Sequence, residues 1–392
     1  MKNTKFSHLI DEVQDEVISW RRYLHEYPEL SFQEEKTSEF IYETLQSFGN
    51  LEISRPTKTS VMARLIGARR GKVLAIRADI DALPIQEENS LPFSSKNAGV
   101  MHACGHDGHT AILLGTAKIL SSLQDQIKGE VRFLFQHGEE LAPGGAQEMV
   151  REGVMDGVDM VIGTHLWSPL ETGQIGVASG PVMASPDTFS ITITGRGGHA
   201  GLPHQTVDAI AIGAQVVSNL QHIVSRNMDP LDSVVLSITK FASGSAMNII
   251  PDSVEMGGTV RLFSTEHRII IRELMERIIK GITEAHGASY FLTYNEGVDP
   301  VINDEKVSRV IEETVRELWG TQALTQMKPN MGGEDFSAFL KKAPGTFFFT
   351  GSGNSGLATD YPHHHPRFNI DESALSDGMN MFVHATFKLL DY

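Results

Sequence analysis

A single cysteine, Cys104, stands in 392 residues. No intrachain disulfide can form, as expected of a protein kept in a reducing cytoplasm. No apolar run approaches the ~20 residues that a membrane span needs, so an integral membrane protein is not expected. The polar start, residues 1–6, lacks the apolar stretch and small-residue cleavage site of a signal peptide, and secretion by that route is not expected. Positive charge is scarce: 33 Lys and Arg against 49 Asp and Glu leave −16 with histidine neutral. That deficit argues against nucleic acid or an anionic membrane as partner. Internal repeats, low-complexity tracts and long charged tails are missing as well. What the chain does have is 41% hydrophobic residues, too many for a disordered chain, and 16 histidines that cluster. At about 150 residues per domain the length allows two or three domains, each with its own core.

Helix and strand patterns alternate in the first third. Residues 9–24 and 33–48 read as amphipathic helices, and 106–123 and 145–152 as further helices. Between them lie short apolar runs, 61–66, 73–78, 131–135 and 160–163, which predict the buried strands of a parallel-rich mixed α/β sheet. From residue 186 the pattern changes to a period-two strand (189–194), a helix (206–224), strands 234–241 and 253–263, a helix (266–286) and a strand (288–294). This β-α-β-β-α-β order predicts a ferredoxin-like α+β unit. After Pro300 the first pattern resumes, with helices over 304–319, 334–342 and 372–390 and a strand over 346–350. The expected architecture is an α/β domain, residues 1–185 and 296–392, interrupted by an inserted domain, residues 186–295.

The residues with chemistry follow predicted strands. Strand 72–78 runs into Asp79 and Asp81, strand 131–136 into His137-Gly138-Glu139-Glu140, and strand 160–164 into His165. Ligands collect at the carboxyl ends of strands in open α/β sheets, so these loops can converge. In Met101-His102-Ala103-Cys104-Gly105-His106-Asp107-Gly108-His109, three imidazoles, a thiol and a carboxylate fall within nine residues. Cys104 and His106 suit a zinc-like ion, although a lone cysteine is more often a small buried hydrophobe. His102 and His109 are expected to orient ligands or pack the helix start. Glu139-Glu140 alone would read as a solvated turn, but metal-assisted hydrolysis needs one carboxylate on the ion and another to carry a proton. His165 would add a further ligand. One histidine of Pro362-His363-His364-His365-Pro366 is expected to be a ligand, and spacing favours none of the three.

Five motifs together resemble a known family: Arg77-Ala78-Asp79-Ile80-Asp81-Ala82-Leu83-Pro84, His102 to His109 as above, His137-Gly138-Glu139-Glu140, Gly197-Gly198-His199-Ala200 and Gly332-Gly333-Glu334-Asp335-Phe336. In this order they are similar to the peptidase family M20 amidohydrolases, in the branch of hippurate hydrolase, N-acyl-amino-acid deacylases and auxin–amino acid conjugate hydrolases. The resemblance runs from about residue 15 to the end. It implies a zinc-peptidase-like catalytic domain with an inserted lid and dimerisation domain. It also implies two divalent metal ions, Zn2+ or Mn2+, on Cys104, His106, Glu140, His165 and His364, with His364 matching the branch's proline-x-histidine-x-proline segment. Glu139 falls where the family has its general base, and His199 where a histidine stabilises the oxyanion. Asn248, Arg261, Gly332 and Gly333 fall at substrate-binding positions; an arginine can clasp an α-carboxylate bidentately. In the wider clan a histidine ligand occupies the position of Arg77, and Cys104 compensates here.

The implied activity is hydrolysis of an N-acyl-L-amino acid to a carboxylate and a free amino acid, by a cytoplasmic homodimer joined through the lid. The rival readings are a metallo-carboxypeptidase or dipeptidase with the same metals, a non-catalytic metal-binding protein, and a cysteine hydrolase using Cys104. A pure metal binder has no use for the spare Glu139.

Overall fold

The computed structural model describes residues 5–391. The chain forms two compact units: one takes residues up to Val182, Ile302–Lys328 and Asp335 onward, the other Met183–Val301 and Pro329–Glu334.

The larger unit is built on an eight-stranded mixed sheet. Its strands run in the order Glu52–Ser54, Val61–Ile66, Lys128–Gln136, Arg69–Asp79, Met160–Glu171, Gly345–Gly353, Ile175–Val177, Leu324–Gln326. Arg69–Asp79 lies parallel to both its neighbours, and Met160–Glu171 parallel to Gly345–Gly353. Helices cover these central strands, so Val131–Gln136 and all of Gly345–Gly353 are buried continuously rather than at alternate residues. The helix His106–Ser122 is buried at every residue from His106 to Ala117 and packs against Ser7–Glu26 and Ser373–Asp391. Burial on this scale, at ~1.5–3 kcal/mol per large apolar side chain, fixes the helix start at His106.

Two expected elements differ. The helix expected over 334–342 is only Ser337–Leu340. The Asp335 carboxylate is held by Arg77, Gln136 and the Ala146 amide, which commits the chain before Ser337, and Pro344 restricts its exit. The strand expected to stop before His165 continues to Glu171, because its backbone stays paired with Gly345–Gly353, Phe349 opposite His165.

The smaller unit is a four-stranded antiparallel sheet in the order Val235–Ala242, Ser253–Leu262, Ser185–Thr194, Ser289–Asn295. Phe189, Ile191 and Ile193 are buried with residues of the helices Ala209–His222 and Thr265–Ala285, while Thr188, Ser190 and Thr194 are exposed. Period-two alternation on one strand thus marks a sheet with one covered face. Asp208 and Ser264 cap the two helices by accepting backbone N–H groups of their first turns. Pro329–Glu334 belongs here because the Ala184 amide donates to the Gly332 carbonyl and Met183 bridges Asn330. Among the described residues no helix is long and apolar enough to cross a membrane.

Candidate metal centre

Strand register in the larger unit brings the ends of Arg69–Asp79 and Lys128–Gln136 side by side, Asp79 opposite Gln136. The loop 137–140 therefore emerges next to Asp79 and Asp81, and the helix start at His106 packs beneath both. Of the groups that result, each with ligand atoms within 4.8 Å of one another, three overlap around Cys104, His106 and Glu140: Cys104, His106 and His165; Cys104, Glu140 and His364; His106, Glu139 and Glu140. Cys104 Sγ lies 3.5 Å from His165 Nε2. Glu140 Oε1 lies 3.2 Å from His364 Nε2 and 3.8 Å from His106 Nε2. Yet Glu140 Oε1 and His106 Nε2 are both buried and make no hydrogen bond. Buried polar atoms that crowd together without bonding are costly, at ~1–3 kcal/mol each, unless a cation sits among them. A thiol, imidazoles and carboxylates are also the donors that zinc-class and manganese-class ions take. The residues fit a divalent metal.

The ring nitrogens are oriented for that role by groups behind them. His165 Nδ1 donates to the Leu166 carbonyl at 2.7 Å, and His106 Nδ1 to the Asp81 carbonyl at 2.9 Å. A carbonyl can only accept, so in the neutral form of each ring it is Nε2 that has the lone pair for the centre. His109 is used differently: Nδ1 lies 2.6 Å from Asp79 Oδ1 and Nε2 accepts the Leu166 N–H at 2.8 Å, so neither nitrogen is left for an ion.

Geometry also separates the three C-terminal histidines. His363 stacks on Trp167 and its Nε2 accepts the Ser168 N–H at 3.3 Å, with Nδ1 3.9 Å from Cys104 Sγ. His365 stacks on Tyr361 and accepts the Arg367 N–H. His364 alone of the three approaches Glu140. Its backbone has φ +66°, a left-handed conformation that a β-free residue would favour, held by donation of its N–H to the Ala103 carbonyl at 2.8 Å.

The electrostatics describe a pocket that awaits positive charge. Burial pushes the Cys104 thiol well above its usual range, and Glu140, Glu139 and Asp79 push it further. Burial would lower His106, but Asp79, Asp81 and Glu140 outweigh it and carry the imidazole up to about 10. Burial, then His109 and His363, hold His165 well below the ordinary imidazole value. A bound cation reverses the first two trends, favouring thiolate and neutral imidazole, which are the ligating forms.

Sequence reasoning passed over the groups that orient this set. Arg77 is buried, with Nη1 2.7 Å from Asp79, Nη2 3.1 Å from Asp335 and Nε 2.7 Å from Gln136. Asp107 pairs with Arg21 and His25, each at 2.8 Å. Glu34 accepts the Gly138 N–H at 2.8 Å. The only signal in the sequence was a charge inside an apolar pattern, as at Arg77.

The remaining candidates lie in the smaller unit and form two neighbourhoods there. His199 is paired with Ile249 and exposed; the Ala200 amide donates to the Asn248 carbonyl, which brings these two residues together. Arg261, half-buried, donates to the Met331 carbonyl at 3.3 Å, beside Gly332 and Gly333. Gly333 is where the segment meets Pro186: a Cβ there would lie 2.7 Å from the proline ring.

A mixed α/β sheet with thiol, imidazole and carboxylate donors at its strand ends defines a metal-dependent hydrolase class. Residues 75–388 match the family model for Peptidase family M20/M25/M40, and the chain belongs to that family. It is 68% identical over 303 residues to the N-acyl-L-amino acid amidohydrolase of Geobacillus stearothermophilus, covering 77% of this chain and 82% of that one. It is 41% identical to Thermostable carboxypeptidase 1 of Saccharolobus solfataricus, over 95% of each chain. The Bacillus subtilis YXEP protein, a dinuclear metal binding peptidase from the M20 family, superposes with a TM-score of 0.86 at 39% identity, over 97% of this chain and 99% of that one.

Proposed function

We propose that the chain hydrolyses the amide bond of N-acyl-L-amino acids, releasing a carboxylate and a free amino acid. The observation that carries this reading is the second carboxylate: Glu139 shares a cluster with His106 and Glu140, beside a donor set that already contains Cys104, His165 and His364. The substrate class is supported by the 68% identity to the Geobacillus amidohydrolase.

Cys104, His106, Glu140, His165 and His364 would hold two divalent ions, Zn2+ or Mn2+, which supply polarisation of the amide carbonyl and a lowered pKa for water. Glu139 takes the proton of the attacking water and returns it to the amide nitrogen. That return is essential, because an amide anion is too basic to leave at neutral pH. His199 is assigned to the tetrahedral oxyanion, Arg261 to the substrate α-carboxylate, and Asn248, Gly332 and Gly333 to substrate contact. The reading includes a catalytic domain of residues 1–185 and 296–392, an inserted domain of residues 186–295 and pairing of two copies through the latter. The exposed Phe291 on the outer strand Ser289–Asn295 supports that pairing.

Glu139→Gln tests the mechanism: turnover should fall ~100-fold or more while bound metal stays at the wild-type level. Near-normal turnover would remove Glu139 from this role. The 41% identity to a carboxypeptidase supports a second reading, in which a peptide replaces the acyl amino acid. Rates on N-acetyl, N-benzoyl and dipeptide substrates separate the two.

A further inference from the structure

The loop that presents Glu139 is pinned on either side of it. Before it, the Gly138 N–H donates to Glu34 Oε1 at 2.8 Å; after it, the Glu140 N–H donates to Asp81 Oδ2 at 3.0 Å. Asp81 is in turn tied to Ser31 Oγ at 2.6 Å and to His106. Glu34 belongs to none of the candidate ligand groups. It is fully buried, and its carboxylate accepts three hydrogen bonds: from the Gly138 amide, from the Phe32 amide at 2.8 Å and from Thr59 Oγ1 at 2.9 Å.

The contact is reinforced by shape. Phe32 sits at φ +64°, uncommon for a residue with a side chain, and Gly138 at φ +61°. A Cβ on Gly138 would meet the Phe32 ring at 2.7 Å, so the ring fills the space that glycine leaves. Burying a carboxylate is expensive, and it loses one of its three donors if the Gly138 loop leaves this path. The N-cap residue of the helix Glu35–Gln46 thereby holds the backbone adjoining Glu139.

We propose that Glu34 is a positioning residue for Glu139: its carboxylate, with the Phe32 ring, fixes the Gly138 backbone and hence the direction in which Glu139 presents its oxygens. The inference rests on Glu139 being the general base.

A kcat-against-KM split with metal analysis tests it, on full-length metal-loaded enzyme. Glu34→Ala should lower kcat ~10- to 100-fold, the scale of a small misplacement of a reacting group, with KM within about threefold and metal content unchanged. Glu34→Gln keeps an oxygen acceptor for the Gly138 amide and should recover most of the loss. In a Glu139→Gln background, Glu34→Ala should cost less than twofold more, because the two act through one group. Additive losses in that double variant, or kcat and metal content falling in step, would overturn the proposal. So would Glu34→Ala turning over at the wild-type rate. If Glu34→Ala fails to fold, the Glu34→Gln and Phe32→Leu variants are read in the same cycle. A Glu139→Gln enzyme that stays active sinks the general-base reading itself, an outcome distinct from all of these.

Discussion

Arg77→Met removes the one guanidinium that stands between two buried carboxylates, Asp79 and Asp335. Methionine fills much of the volume, so the cost is mainly electrostatic. Breaking a buried pair by deleting one partner costs ~3–5 kcal/mol. The lower end is expected here, since Asp335 keeps Gln136 and the Ala146 amide, and Asp79 keeps His109. The pH dependence follows from Asp335. Burial raises its carboxyl to about 6 even with Arg77 pulling down. A carboxyl whose folded pKa exceeds its unfolded value of ~3.9 binds its proton more tightly when folded, so stability falls as pH rises through that interval. Without Arg77 the folded pKa climbs above about 6, and each further unit adds ~1.4 kcal/mol of loss at high pH. Urea denaturation of metal-free wild type and variant should therefore differ by ~3 kcal/mol at pH 8 and by about half of that or less at pH 5. A difference under ~1 kcal/mol at pH 8, or one that does not change with pH, would refute the assignment of Arg77 as the compensating charge.

At the C-terminal loop, His364→Ala should weaken metal binding by more than His363→Ala, for which the ~10- to 100-fold loss of an orienting group is expected. Metal titration of the two purified variants decides the order, and the reverse order would move the ligand to His363. In the smaller unit Asp187 is buried and accepts from Arg268, Tyr294, Ser185 and the Gly297 amide. Asp187→Ala should lower hydrogen-exchange protection of the strand Ser185–Thr194 by ~3 kcal/mol, since Arg268 loses the carboxylate that it holds through two nitrogens. Unchanged protection would show that Asp299 suffices for Arg268.

The elements were legible wherever burial imposes a period. The expected strand 61–66 is Val61–Ile66, and the helix expected over 266–286 is Thr265–Ala285. Residues able to bind metal were legible because Cys104 with His106, and Glu139 with Glu140, are neighbours in the chain and stand next to apolar runs. The groups that orient them were not. Arg77 meets Asp335 across 258 residues, and Glu34 meets Gly138 across 104. Neither pairing leaves a local pattern, because the sheet brings the partners together. The choice among His363, His364 and His365 was hidden for a related reason. It depends on a left-handed backbone at His364 and on the Trp167 ring that occupies His363.

Arg77 also bears on why a cysteine appears in such a centre. The resemblance places a histidine ligand of the wider clan at position 77, and a guanidinium cannot replace it, since arginine stays protonated and has no lone pair to give. Here its nitrogens hold Asp79, Gln136 and Asp335, and Asp79 in turn lies within reach of His106 and His109. Exchanging a neutral imidazole for this cation adds one positive charge beside the centre. Cys104, in the proposed role of thiolate ligand, would add one negative charge in the same buried region. A guanidinium and a thiolate in one buried region favour each other electrostatically. The arginine and the cysteine are therefore expected to depend on one another: Cys104→Ser should weaken metal binding less in an Arg77→Met background than in the wild type.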